Sequence, residues 1–270
     1  MLRQRVLSSI VFIPILIAAI WFGSPWFTIL VGIAALLGLI EFFRIADQLR
    51  LQSLTVVSFF WTIFFIIGAQ FSTYLEDQDL SILPLALALS AIFVSIFIMI
   101  ISRSLQRYNL ILWSWSLIGI FYMGFLLGHW IQLMNEFGRD WVLLALFSTF
   151  AVDTTAYFVG RAWGKRKMAP SISPGKTWEG AIGGFIGGIA ASLLLSLLPE
   201  IDITYWKVVV LGGLISIFAQ LGDLTESKLK RTAGVKEAGS IIPGHGGILD
   251  RLDSIVFVGV VVYYWAYICS

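Results

Sequence analysis

Apolar residues fall in blocks along this chain, each about as long as a bilayer is thick, with short polar segments between them. The blocks are Val6–Phe22, Trp26–Ile45, Leu54–Tyr74, Ser81–Ser102, Asn109–Leu133, Trp141–Trp163, Thr177–Leu198, Tyr205–Leu224 and Leu249–Ile268. Each is near the roughly 20 residues that an α-helix needs to cross hydrocarbon, so the pattern predicts about nine spans in an all-α, polytopic membrane bundle. The fifth block is long enough to tilt or break near Gly124. The seventh carries Gly183, Gly184, Gly187 and Gly188, and Glu41 stands near the end of the second. The first block follows Arg3 and Arg5 as a secretory leader would. Its apolar run exceeds the usual 7–15 or so residues, and no A-x-A-like site follows, so it reads as a retained helix.

Composition agrees with the block pattern. The chain has 270 residues, 59% hydrophobic and 13% charged, with a mean hydropathy of +0.90. A soluble domain carries about 45–50% apolar and about 25% charged residues. No polar stretch is long enough to fold alone. The single cysteine, Cys269, excludes an intrachain disulfide and a multi-cysteine metal site. The net charge of +2 gives no ground for a nucleic-acid partner; the placement of the charges says more. With a cytoplasmic N-terminus and nine alternating spans, all of the 18 lysines and arginines except Arg139 and Lys207 fall on one side. That bias obeys the positive-inside rule. It puts the polar loops Arg161–Lys176 and Lys228–Gly247 in the cytoplasm, which a site on them would face. Most of the polar sequence lies after residue 140, so residues 1–140 read as scaffold and 141–270 as the catalytic part of one membrane unit.

The chemistry-bearing stretch is Asp223–Asp253, DLTESKLKRTAGVKEAGSIIPGHGGILDRLD. Asp223 and Glu226 share a helical face, as do Asp250 and Asp253. Four carboxylates at the mouths of two spans need cations. Lys228, Lys230, Arg231 and Arg251 would serve as a solvated network, and a hard divalent ion would serve as well. His245 lies among glycines whose freed backbone N–H groups suit phosphate oxygens. Asp153 is about ten residues inside its span, roughly 15 Å at 1.5 Å per residue. An intramembrane carboxylate there calls for a partner or a wet cavity. In Gly160–Gly180, the run Pro174-Gly175-Lys176-Thr177 imitates a P-loop, but Pro170 stands where that motif needs glycine, and no strand is expected before it. Ser173-Pro174 with Thr177 and Glu179 reads instead as a helix start with an acidic first turn, leaving Lys176 at the mouth of the seventh span.

Two blocks then resemble one family. Ser227–Arg231 (SKLKR), Lys236 and Pro243–Asp253 (PGHGGILDRLD) resemble the signature of the CDP-diacylglycerol synthases, or phosphatidate cytidylyltransferases, of bacterial type. Asp153–Arg161 (DTTAYFVGR) and Pro170–Gly180 (PSISPGKTWEG) are similar to a second block of that family. Glu237 stands where the family usually has aspartate. The resemblance covers roughly the last 120 residues by motif and the rest by hydropathy.

The resemblance implies CMP transfer from CTP to phosphatidate, giving CDP-diacylglycerol and pyrophosphate, in a homodimer embedded in membrane lipid. It implies Mg²⁺, with K⁺ admitted beside it, on Asp223, Asp250 and Asp253. It makes Lys230 and Arg231 catalytic partners of those carboxylates, and Lys176, Ser173, Arg251, His245, Gly246, Gly247, Ser227 and Asp153 substrate contacts. The chemistry suits the residues. A phosphate monoester is already anionic at neutral pH and needs no general base. The task is to bring two polyanions together, which metal ions and Lys/Arg achieve. A secondary transporter shares intramembrane carboxylates and glycine-rich helices, but it would usually show repeated halves and a midplane site. The D-G-x-x-A-R pattern of the CDP-alcohol phosphotransferases is absent.

Overall fold

The computed structural model describes residues 2–48, 55–76, 90, 107–241 and 246–269. The expected span Ser81–Ser102, apart from Ser90, and His245 lie outside the described residues. In chain order the helices are α1 (Leu2–Phe22), α2 (Trp26–Gln48), α3 (Thr55–Glu76), α4 (Arg107–Ile120), a π-helical turn (Phe121–Phe125), α5 (Leu126–Phe137) and α6 (Arg139–Trp163). A short hairpin follows, β1 (Lys167–Ala169) and β2 (Ser173–Thr177). Then come α7 (Trp178–Leu195), α8 (Tyr205–Thr232), α9 (Leu249–Leu252) and α10 (Ile255–Cys269). Among the described residues, seven helical stretches are long and apolar enough to cross a membrane, and Ile10–Phe22 is a shorter apolar one. Large apolar side chains such as Phe22, Val56, Phe60, Phe158, Ile186 and Leu197 stand outward, as a lipid-facing surface requires.

The chain forms two compact units. The first comprises Met1–Glu136 with Ala233–Asp250, and the second Phe137–Thr232 with Arg251–Ser270. The stretch Ala233–Asp250 thus clusters with helices that lie far from it in sequence.

In the first unit, aromatic packing dominates. Phe42 meets Trp115 at 5.3 Å and Phe43 edge-on at 5.9 Å. Trp61, Phe65 and Ile120 form a buried cluster against Phe121 and Phe125. The fifth expected block is one helical span, Trp113–Phe137, that carries the π turn around Gly124. A Cβ on Gly124 would lie 3.1 Å from the Thr62 backbone, so the glycine lets α3 pass close by.

The second unit is built on small residues. Gly184 and Gly188 are buried on α7. A Cβ on Gly184 would lie 3.1 Å from Ala156 Cβ, and one on Gly188 would run into Ser216 of α8. This is close helix packing through small residues, as membrane interiors favour. Ser192 donates to Ser148 at 2.9 Å and Gln220 to the Ala181 carbonyl at 3.2 Å, satisfying polar groups within the bundle.

The hairpin corrects one expectation. Ser173–Thr177 is a strand paired with Lys167–Ala169, and the helix begins only at Trp178. Thr177 caps it, accepting from Gly180 N at 3.1 Å, with Glu179 in the first turn. Pro174 and Gly175 have little strand propensity of their own; the pairing with β1 is what holds them extended.

Candidate active site

α6, α8 and the start of α10 bring three carboxylates of the second unit together. Asp153 comes from the middle of α6, Asp223 from the last third of α8, and Asp253 from just before α10. The charge of Asp223 reaches both Asp153 and Asp253, and that of Asp153 reaches Asp253. The Ser254 hydroxyl lies 3.4 Å from both Asp153 Oδ1 and Asp253 Oδ1. Ser254 N–H also donates to Asp253 Oδ1 at 2.7 Å.

Gly222 makes this possible. A Cβ there would strike the Asp253 carbonyl oxygen, with the carbonyl carbon at 3.3 Å and Phe257 Cδ2 at 3.2 Å. Absence of a side chain lets α8 close onto the turn before α10, so Asp223, the next residue, arrives beside Asp253.

β2 supplies the cation. Lys176 Nζ sits 2.8 Å from Asp223 Oδ2. It is an ion pair by distance, without the alignment of a hydrogen bond. Ser227, one turn along α8, donates to Asp223 Oδ1 at 3.2 Å. The hairpin that carries Lys176 is fastened at both ends. Glu179 accepts from the Lys165 and Arg166 backbone N–H groups at 3.1 and 3.2 Å. Arg231 Nε donates to the Ile172 carbonyl at 3.1 Å, beside half-buried Ser173. Lys230 is buried and ion-paired with buried Glu226, four residues earlier on the same helix. Arg251 is exposed.

Asp250 belongs to the first unit, and its carboxylate holds a loop. Oδ2 accepts from Gly247 N at 2.9 Å and Ala238 N at 3.0 Å. Gly246 takes the left-handed conformation, φ 84°, next to that carboxylate. Gly247 is buried.

Of the expected residues, the structure therefore gathers Asp153, Asp223, Asp253, Lys176 and Ser227. Lys230 pairs with Glu226 on its own helix while its charge also reaches Asp253, and Asp250 takes backbone partners. Ser254 and Glu179 were not expected to have these roles. Ser254 adjoins Asp253 in sequence, and the Glu179 contacts required knowledge of the hairpin. Among the described residues, no three His, Cys, Asp or Glu side chains converge tightly enough to hold an ion between them. The donor set of Asp153, Asp223, Asp253 and Ser254 is nevertheless all oxygen, the chemistry a hard divalent cation takes. Two ammonium groups, Lys176 on Asp223 and Lys230 whose charge reaches Asp253, face these three carboxylates.

Comparison with known proteins then decides the family. The profile described as the cytidylyltransferase family matches residues 3–269. The chain belongs to the cytidylyltransferase family. It is a nucleotidyltransferase enzyme with the helices of an integral membrane protein. A Bacillus subtilis protein named phosphatidate cytidylyltransferase is 31% identical over 266 residues, covering 97% of both chains. A Synechocystis protein of the same name is 31% identical and covers 97% of this chain and 95% of its own. One from Staphylococcus saprophyticus is 40% identical over 155 residues, 57% of this chain and 59% of its own.

Proposed function

We propose that this protein is a phosphatidate cytidylyltransferase, making CDP-diacylglycerol and pyrophosphate from CTP and phosphatidate in phospholipid synthesis. The observation that carries this reading is the meeting of Asp153, Asp223 and Asp253 with Lys176 on Asp223. It occurs in a chain whose relatives over 97% of its length bear that name. In the reaction, a phosphate oxygen of phosphatidate bonds to the α-phosphorus of CTP. The bond from that phosphorus to the β-bridging oxygen breaks, and pyrophosphate leaves with the electron pair. No proton has to be removed from the nucleophile.

Asp223 and Asp253 hold Mg²⁺ in this reading, and Asp250 keeps the ligand role the resemblance gives it. The Ala238 and Gly247 amides orient the Asp250 carboxylate, as partners behind a metal ligand do. Bound Mg²⁺ supplies charge neutralisation at the phosphates and stabilises the leaving group; K⁺ is the admitted second ion. Lys176 exchanges its Asp223 partner for a triphosphate oxygen when CTP arrives. Ser227 and Ser254 keep Asp223 and Asp253 in place, and Asp153 adds negative charge that tightens the hold on cations. Arg231, through its tie to Ile172, sets the hairpin; with Lys230, Arg251, Ser173, His245, Gly246 and Gly247 it completes the phosphate contacts.

The lipid substrate accounts for a site carried on membrane helices, with phosphatidate entering between helices and CTP from water. Nine spans, a cytoplasmic N-terminus, a cytoplasmic site in the inner membrane and a homodimer are parts of the same proposal, supported by the asymmetry of the basic residues.

The test is pyrophosphate release by purified protein in mixed micelles. Release that needs CTP, phosphatidate and Mg²⁺ together is the expected result. CTP hydrolysis without phosphatidate, or ion flux in liposomes without either substrate, would overturn it.

A further inference from the structure

Glu41 lies in α2, among the scaffold helices and far in sequence from every motif of the family. It is fully buried, with 0% of its surface exposed. Its Oε2 accepts the Leu249 backbone N–H at 2.9 Å, across 208 residues. Oε1 has no hydrogen-bond partner among the described residues. Leu249 is the first residue of α9, so its N–H has no acceptor within the helix. A local Ser, Asp or Asn normally fills that need. Here a carboxylate from another helix fills it.

The same carboxylate is enclosed by two glycines of the polar stretch. A Cβ on Gly239 or on Gly247 would fall on the Glu41 carboxylate group. These glycines are therefore needed where the backbone meets Glu41. Gly247 was expected to cradle phosphate; its lack of a side chain already has this packing reason. One buried group thus fixes the backbone at residue 239 and again at 247–249. Between those points and the next residue, Asp250 binds Ala238 N and Gly247 N. Glu41 and Asp250 thus hold neighbouring points of the same short stretch of backbone. The Ile248 backbone N–H acts on the same carboxylate. Burying a charged group costs stability even when backbone N–H groups pair with it, so its contribution is to be sought in what it holds.

We propose that Glu41 is a positioning residue for nucleotidyl transfer, fixing the backbone at Gly239 and Gly247–Leu249 and through it the Asp250 carboxylate. This rests on the reading of Asp250 as a working carboxylate.

The experiment compares wild type, Glu41→Gln, Glu41→Leu and Gly239→Ala as purified full-length protein. Amide hydrogen exchange is read by mass spectrometry, beside CTP-dependent lipid formation. Glu41→Leu removes the acceptor. Peptides spanning 246–252 exchange about tenfold faster while those of α6 and α8 keep wild-type rates. Its kcat falls at least about tenfold with KM for CTP within about threefold. Glu41→Gln, which keeps an oxygen for Leu249, stays within about threefold of wild type in both readouts. Gly239→Ala, which pushes on the carboxylate, reproduces the exchange change and decides the matter should Glu41→Leu fail to fold. Unchanged exchange at 246–252 would overturn the anchor. Faster exchange there with wild-type kcat would overturn the positioning role, as would faster exchange spread over every helix. A Glu41→Gln variant as impaired as Glu41→Leu would overturn the acceptor account. If no variant, wild type included, makes lipid from CTP, the functional reading fails while the exchange data still settle the anchor.

Discussion

Replacing Gly222 by alanine tests how the carboxylates are brought together. The new Cβ would be driven into the Asp253 carbonyl oxygen, with the carbonyl carbon at 3.3 Å and Phe257 Cδ2 at 3.2 Å. The phenyl ring can turn aside, but the carbonyl is backbone and cannot. Relief requires α8 and the turn before α10 to part by roughly 1 Å, a displacement that can cost about 10²-fold in rate at a reacting centre. That loss equals about 2.7 kcal/mol of transition-state stabilisation at 1.36 kcal/mol per decade. Folding suffers less. Overpacking costs about 1–3 kcal/mol, and alanine recovers nearly 1 kcal/mol of helix propensity over glycine. Gly222→Ala should therefore elute from gel filtration as wild type does and melt only slightly lower, while kcat/KM for CTP falls about 10²-fold. Gly32→Ala is the control, because its Cβ would make an ordinary 3.5 Å contact with Ile66 Cγ2. Its activity should stay within about twofold of wild type, as a helix substitution that relieves glycine entropy should. A Gly222→Ala enzyme with more than half of wild-type activity would refute the reasoning, because Asp223 and Asp253 would then not depend on that close approach.

The remaining predictions concern charge. Lys176→Met and Asp223→Asn should each lower kcat/KM at least about tenfold. The double variant should be no worse than the poorer single, since the two groups act as a pair; simple multiplication of the losses would separate them. Asp250→Asn keeps one carbonyl oxygen for the Ala238 and Gly247 amides but loses the charge, so turnover should fall at least about 10²-fold in a protein that still elutes as one species. Near-normal activity across Mg²⁺ concentrations would make that carboxylate structural. Chelation should abolish lipid formation and added Mg²⁺ restore it, with Asp253→Asn needing a higher Mg²⁺ concentration for half-maximal rate; a rate indifferent to chelation would remove the metal from the mechanism.

Hydropathy located most of the membrane helices because apolar blocks of bilayer length have few other uses. Asp153 stood out because an intramembrane carboxylate is costly. What could not be read was anything set by partners far away in sequence. The β1–β2 hairpin has no alternating apolar pattern, and Pro174-Gly175 argues locally against a strand; it forms through pairing with Lys167–Ala169. The role of Gly222 depends on Asp253, 31 residues on. Glu41 was visible only as an acid near the end of a span, since its partner Leu249 is 208 residues away. The i, i+4 spacing of Glu226 and Lys230 already offered the ion pair seen in the structure.

The central claim is that the α-phosphorus of CTP ends in a lipid. It is tested most directly by supplying purified protein, in phosphatidate-containing micelles with Mg²⁺, with CTP labelled at the α-phosphorus or at the γ-phosphorus. The account predicts that α-label passes into the organic phase in step with phosphatidate consumed, while γ-label stays in water as pyrophosphate. Recovery of γ-label in lipid, or of α-label only as water-soluble CMP, would contradict it.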